Sequence, residues 1–178
     1  MFSSIEIDSR LYHYNTDHFI DLSVPIDFNG GQANYFDVER ASATPFKSEN
    51  VIGDTKQGGG CNFDVVKFIP HCNGTHTECV GHIVHEDVHV NEMITDSLIP
   101  ATLVTVTPED GVINGEQLKI DPGFDQALII RTLPNTDSKR SATYDANNLP
   151  PYFALEAMEK INELGIRHLL VDMPTIDP

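Results

Sequence analysis

Apolar and polar positions along the chain fall into three kinds of pattern, and each predicts a different element. Ala101 to Thr107, ATLVTVT, and Ala127 to Thr132, ALIIRT, are β-branched runs bounded by Pro100, Pro108 and Pro134. Runs of this length read as strands, and both are expected at the centre of a sheet. Cys61 to Ile69, CNFDVVKFI, alternates instead, setting Phe63, Val65, Lys67 and Ile69 against Asn62, Asp64, Val66 and Phe68 until Pro70 stops the ladder. His18 to Val24, HFIDLSV, reads as a further short strand ended by Pro25. Helical periodicity is clear from Tyr152 to Leu164, where Ala154, Ala157, Met158, Ile161 and Leu164 share one face and Glu156, Glu159, Lys160 and Glu163 the other. Pro150 and Pro151 mark its start and Gly165 its stop. His168 to Met173, HLLVDM, follows as a buried strand, which makes a βαβ-like ending with the helix packed across the sheet. Gly115 to Lys119 reads as at most a short helix. Asp27 to Gly60 has no period and carries Phe28, Tyr35, Phe36 and Phe46. Such long irregular stretches serve function more often than packing.

Composition narrows the class. A chain of 178 residues, 40% hydrophobic and 8% aromatic, is long enough to bury a core as one α/β domain without disulfides. Its formal net charge of -16, from 27 acidic and 11 basic side chains, comes with no basic cluster, so no nucleic-acid partner is expected. The N-terminal stretch has no basic region followed by an apolar run, and no segment reaches membrane-spanning length, so no membrane partner is expected either. Three cysteines, Cys61, Cys72 and Cys79, form no C-x-x-C pair, which favours a reducing compartment. The simplest location is the cytoplasm.

The chemistry is concentrated from Pro70 to Val90, PHCNGTHTECVGHIVHEDVHV, which holds five of the eight histidines and two of the three cysteines. Imidazole, thiolate and carboxylate are the donors that zinc and manganese accept, and His71, Cys72, His76, Glu78 and His82 supply them within a short span. A two-residue step in extended chain puts His76 and Glu78 on one face, and Gly74 permits close or left-handed backbone between them and Cys72. A divalent metal is therefore the expected cofactor, with zinc favoured by the soft sulfur of Cys72 and manganese as the alternative.

Residues 72 to 82, CNGTHTECVGH, resemble the signature H-x-G-T-H-x-D-x-P-x-H of the metal-dependent cyclase-like hydrolases, whose members include bacterial kynurenine formamidase and isatin hydrolase. Gly74, Thr75, His76 and His82 match in place. Glu78 stands at a ligand aspartate, Cys72 at the first ligand histidine and Val80 at a proline. The segment DLSVP from Asp21, the Arg131-Thr132 strand end and the final DMPTIDP are similar to further family segments in the same order. The resemblance implies a single domain over residues 1–178 with a mixed β-sheet core, flanking helices and a swivelling β/α/β arrangement. It also implies a homo-oligomer, dimer or tetramer. Family members continue for several dozen residues beyond the D-P segment, with a histidine and a glutamate that complete a two-metal site. Nothing in this sequence matches them, so the expectation is a chain lacking that segment, with weak hydrolysis.

On this resemblance the substrate is a small molecule, an aryl formamide or cyclic amide, as in the conversion of N-formylkynurenine to kynurenine in tryptophan catabolism. His76 and Glu78 are expected as metal ligands with Cys72 or His71 as a third, and His82 as the residue that shuttles protons. Tyr35 and Phe36 are the candidates for the aromatic wall of the pocket. Thr75 is expected to fix the loop through its hydroxyl, and His85 and His89 to be surface or supporting residues. Two other readings compete. One is a cysteine hydrolase using Cys72 or Cys79 with a neighbouring histidine. The other is a non-catalytic metal-binding or scaffold relative of the fold.

Overall fold

The computed structural model describes residues 1–7, 9–120 and 126–178. In chain order the elements are β1 (Phe2–Ile7), β2 (Arg10–Asn15), β3 (Asn34–Tyr35), β4 (Ser42–Pro45), β5 (Asp64–Lys67), α1 (Pro70–Asn73) and α2 (Val90–Met93). After these come β6 (Ala101–Val106), β7 (Val112–Ile113), β8 (Ala127–Thr132), β9 (Thr143–Tyr144), β10 (Tyr152–Phe153), α3 (Leu155–Glu163) and β11 (His168–Val171). Together they form a mixed α/β fold with few helices and several small sheets.

The largest sheet is parallel, in the order β11-β8-β6, with Leu128 opposite Leu169 on one side and Thr102 on the other. β8 is central, as its apolar run ALIIRT demands, and all but two of its residues are buried. β6 and β11 are edges, which corrects the expectation that β6 is central and β11 buried. Alternate residues of each edge strand face outward, leaving Leu103 and Leu170 exposed. α3 crosses this sheet and buries Ala157 and Ile161, one turn apart, against it. Val104, Val106, Ile113, Leu118, Leu128, Ile130, Phe153 and Met173 complete the core. Each fully buried Leu or Ile stabilises it by about 1.5–3 kcal/mol. The helix begins later than its apolar period suggests, because Tyr152 and Phe153 pair in parallel with Val112 and Ile113. It ends as expected, with Gly165 in the left-handed conformation at φ 73°. Gly115 to Lys119 forms a turn rather than a helix.

A polar latch closes the carboxyl ends of β8 and β11. The Asp172 carboxylate accepts from the Thr132 amide (3.0 Å), the Thr132 hydroxyl (2.9 Å) and the Lys139 ammonium (2.8 Å). Burial, and then the Asp172 charge, push the nearby Tyr144 hydroxyl above its ordinary pKa. Arg131 donates across the sheet to Thr105 Oγ1 at 2.7 Å.

The first hundred residues are built differently. Ala41 is their only buried apolar side chain among the described residues. Amides do much of the holding. Asn73 accepts from the Ile69 N–H (2.7 Å) and donates to the Glu39 carbonyl, and Asn34 donates to the Val38 carbonyl (2.9 Å). The parallel pair β3–β9 ties this half to the core-forming half. The strand expected over His18–Val24 is absent. Asp21 accepts from the Ser23 amide (2.9 Å) and hydroxyl (2.7 Å), a local turn that competes with a ladder. Phe19 and Ile20 there are 83% and 85% exposed, with no strand beside them. The strand expected over Cys61–Ile69 shortens to β5, because the Asn62 side chain accepts from the Thr55 amide and the Phe63 N–H donates to the Gly53 carbonyl.

Among the described residues, no helix is long and apolar enough to cross a membrane.

Candidate metal centre

Pro70 does not merely end β5; it occupies the first turn of α1, where its missing N–H costs nothing. That turn sets His71 beside the loop that follows. Gly74 is extended, at φ 173°, so its role is close approach rather than left-handed geometry. A Cβ there would come within 2.9 Å of Ile26, in the segment that follows DLSVP. The same two segments are joined by the Thr75 hydroxyl oxygen, which accepts from the Val24 N–H at 2.8 Å. Thr75 thus fixes the loop through its hydroxyl.

Three imidazoles converge on one carboxylate oxygen. The Nε2 atoms of His71, His76 and His82 lie 3.5, 3.6 and 3.9 Å from Glu78 Oε2. These separations exceed the N–H···O range of about 2.7–3.2 Å. They come close to the spacing of about 3.3–3.5 Å between neighbouring donors on a tetrahedral ion with arms of about 2.0–2.1 Å. His71, Glu78 and His82 have donor atoms all within 4.8 Å of one another, so this group can hold a metal ion. His76 joins it through Glu78 and through its ring contact with His71, centroids 4.8 Å apart.

Protonation and tautomer suit that role. His76 Nδ1 lies 3.0 Å from the Gly74 carbonyl, an acceptor, so Nδ1–H faces that carbonyl and Nε2 is the ring nitrogen turned toward Glu78. His71 stacks on His82 with centroids 4.3 Å apart and planes inclined by 14°. Burial, and then His76 and His82, hold the His71 imidazole below its ordinary pKa, outweighing the opposite pull of Glu78. A neutral imidazole is the form that ligates.

Other expected residues fall around this group. Cys72 is next to His71 but outside the close donors, and burial pushes its thiol up, so it stays protonated. A raised thiol is the opposite of an activated nucleophile, which weighs against the cysteine hydrolase. The mutually close donors are nitrogen and oxygen atoms, which suit zinc and manganese alike. Cys79 points its sulfur at the Val88 carbonyl, 3.7 Å away. His85 and His89 are exposed and outside the cluster. Tyr35 lies in β3, which runs beside α1, and its ring meets that of Phe36 at 3.9 Å. Phe36 is exposed, with a left-handed φ of 60°.

Sequence reasoning passed over Gly81. A Cβ at that position would sit 2.0 Å from the Val88 carbonyl oxygen, so only glycine lets the returning chain close over the turn that carries His82. A glycine between two predicted donors was the one available signal.

A comparison with curated proteins finds no match. The family model Cyclase, described as "Putative cyclase", matches residues 20–178, a span that takes in DLSVP, the donor loop, the parallel sheet and the final DMPTIDP segment. By that match over most of its length, the chain belongs to the Cyclase family, which includes kynurenine formamidase-like proteins.

Proposed function

We propose that the protein is a metal-dependent hydrolase of a small aryl amide, with an aryl formamide such as N-formylkynurenine as its substrate class. The observation that carries the reading is the convergence of His71, His76 and His82 on Glu78 within a Cyclase-family chain. A divalent cation held there, zinc or manganese, would supply an acidified water and polarise the substrate carbonyl.

His71, Glu78 and His82 have the mutually close donors, and His76 Nε2 lies 3.6 Å from the same Glu78 oxygen, so His76 and His82 are assigned to ligand and proton shuttle by their surroundings. His76 is the better ligand, because the Gly74 carbonyl fixes its tautomer and only 21% of its side chain is exposed. His82 is the farthest from Glu78 and has the most exposed side chain of the three, so it can exchange protons with solvent. It takes a proton from the attacking water and returns it to the leaving nitrogen. Tyr35 and Phe36, with rings 3.9 Å apart and inclined by 32°, offer aromatic surface for an aryl group. The parallel sheet crossed by α3 supports the swivelling β/α/β arrangement for the whole domain.

The test loads the purified chain with zinc or with manganese and follows N-formylkynurenine hydrolysis by ultraviolet absorbance. Turnover that disappears with chelator and returns with metal is the expected result. A chain that holds a full equivalent of metal and hydrolyses no aryl formamide would sink the proposal and favour the non-catalytic relative.

A further inference from the structure

His71 and Cys72 are neighbours in α1, and the group of close donors takes only the first. Successive residues on a helix point about 100° apart, so turning α1 by that angle would exchange an imidazole for a thiolate at the metal. The exchange has chemical weight. Thiolate favours zinc, whereas nitrogen and oxygen donors suit manganese as well. A helix one turn long does not fix its own rotation. Ile69, at the N-cap of α1, caps no N–H with its side chain, and Gly74 beyond the last turn is extended rather than left-handed.

Asn73 supplies the restraint. Its backbone N–H donates to the Ile69 carbonyl at 2.9 Å, while its side-chain oxygen accepts from the Ile69 N–H at 2.7 Å. The two ends of α1 are thus closed on each other, much as a capping box closes the start of a longer helix. Its side-chain nitrogen donates to the Glu39 carbonyl, between β3 and β4, at 3.3 Å, and β3 runs beside α1. A bond to a point off the helix axis is what stops a helix from turning about that axis. Asn73 is 0% exposed, so water does not stand in for either bond when it is lost.

We propose that Asn73 determines the metal preference of the centre: by pinning α1 to Ile69 and Glu39 it presents His71, withholds Cys72, and keeps the donors to nitrogen and oxygen. The inference rests on the metal reading above and adds the residue that decides which cation the site favours. Asn73 is a positioning residue, because it acts through His71 on the same turn. Asn73→Leu keeps nearly the same shape and makes neither side-chain bond. α1 then loses its off-axis tie, and the sulfur of Cys72 comes within reach of the cation that it binds well.

Cobalt(II), whose absorption spectrum reports its donors, tests the proposal on the whole chain. The wild type should bind cobalt without a sulfur-to-cobalt charge-transfer band in the near ultraviolet. Asn73→Leu should show the band, and the further change Cys72→Ser should abolish it, which excludes Cys61 and Cys79 as its source. Manganese affinity should fall about 10–100-fold in Asn73→Leu, and zinc affinity less, because zinc gains from sulfur. A second pair leaves Asn73 in place and decides the matter alone if Asn73→Leu does not fold. His71→Ala should lose the cation, and adding Cys72→His should not restore it, because position 72 still points away. A wild type that binds no cobalt would remove the metal reading and this inference together. With cobalt bound, a sulfur band in the wild type, a folded Asn73→Leu protein that lacks the band, or rescue by Cys72→His would each overturn the role of Asn73 and leave the metal reading standing.

Discussion

Gly81→Ala tests whether the donor loop is held by backbone closure. The new methyl would lie 2.0 Å from the Val88 carbonyl oxygen, 3.0 Å from its carbon and 3.3 Å from its Cβ. Ordinary contact requires one segment to retreat by at least about 1 Å, and the obstacle is backbone, so no rotamer change relieves it. Overpacking of this kind costs about 1–3 kcal/mol. For a chain of this size that lowers the thermal midpoint by roughly 2–12 °C. The same shift is imposed on the turn that carries His82 and follows Glu78, and supporting-residue losses at metal sites weaken affinity by about 10–100-fold. The assay is a pair of titrations, heat and metal, on wild type, Gly81→Ala and Gly60→Ala, the last being a glycine whose Cβ would meet nothing within 4 Å. Gly81→Ala should fall in both, and Gly60→Ala in neither. A Gly81→Ala protein with metal affinity within twofold of wild type would refute the reasoning, because the closure would then be dispensable.

His76→Ala should lose the metal, whereas His82→Ala should keep it and lose turnover; elemental analysis beside the hydrolysis assay separates the two, and the reverse pattern would exchange their roles. Asp172→Asn strips the charge that holds the half-buried Lys139 and should cost about 1.5–3 kcal/mol, read by urea unfolding. It should also bring the Tyr144 titration down toward its ordinary value, since Asp172 is one of the two causes of its rise. His71 titrates lower in the folded chain than its ordinary 6.5, so below that pH the unfolded chain binds more protons and folding weakens as the solution is acidified. Urea midpoints at pH 7.5 and 5.5, in chelator, should fall more for wild type than for His71→Gln; equal falls would place the dependence elsewhere.

The core was legible where burial on both faces leaves a continuous apolar run, as in β8, and where a long period of 3.6 marks a face, as in α3. Pattern could not show which strand lay at an edge. β6 reads as central because its residues are β-branched, yet their alternating exposure is decided by a neighbour the sequence does not name. The segment HFIDLSV failed for a different reason: its apolar residues promise a strand, but Asp21 and Ser23 satisfy the backbone locally. At the site, residue types were sufficient to gather His71, His76, Glu78 and His82. That His71 rather than Cys72 stands among the mutually close donors needed three dimensions, because adjacent residues on one helical turn point about 100° apart. Gly81 was invisible because its meaning lies in Val88, seven residues on.

The division of the chain has a consequence for its synthesis. Every side chain of the apolar core lies between Val104 and Met173, and its edge strand β11 ends at Val171. At about 5–20 residues per second, roughly 4–14 s separate the emergence of β6 from that of β11 on a translating ribosome. Throughout that interval the donor loop, β5 and the apolar Phe19–Leu22 stretch are already outside, with no nucleus yet formed against which they could settle. The half that carries the donor loop is thus made first and packed last, so its exposed apolar side chains face water until the core beyond Val104 has formed.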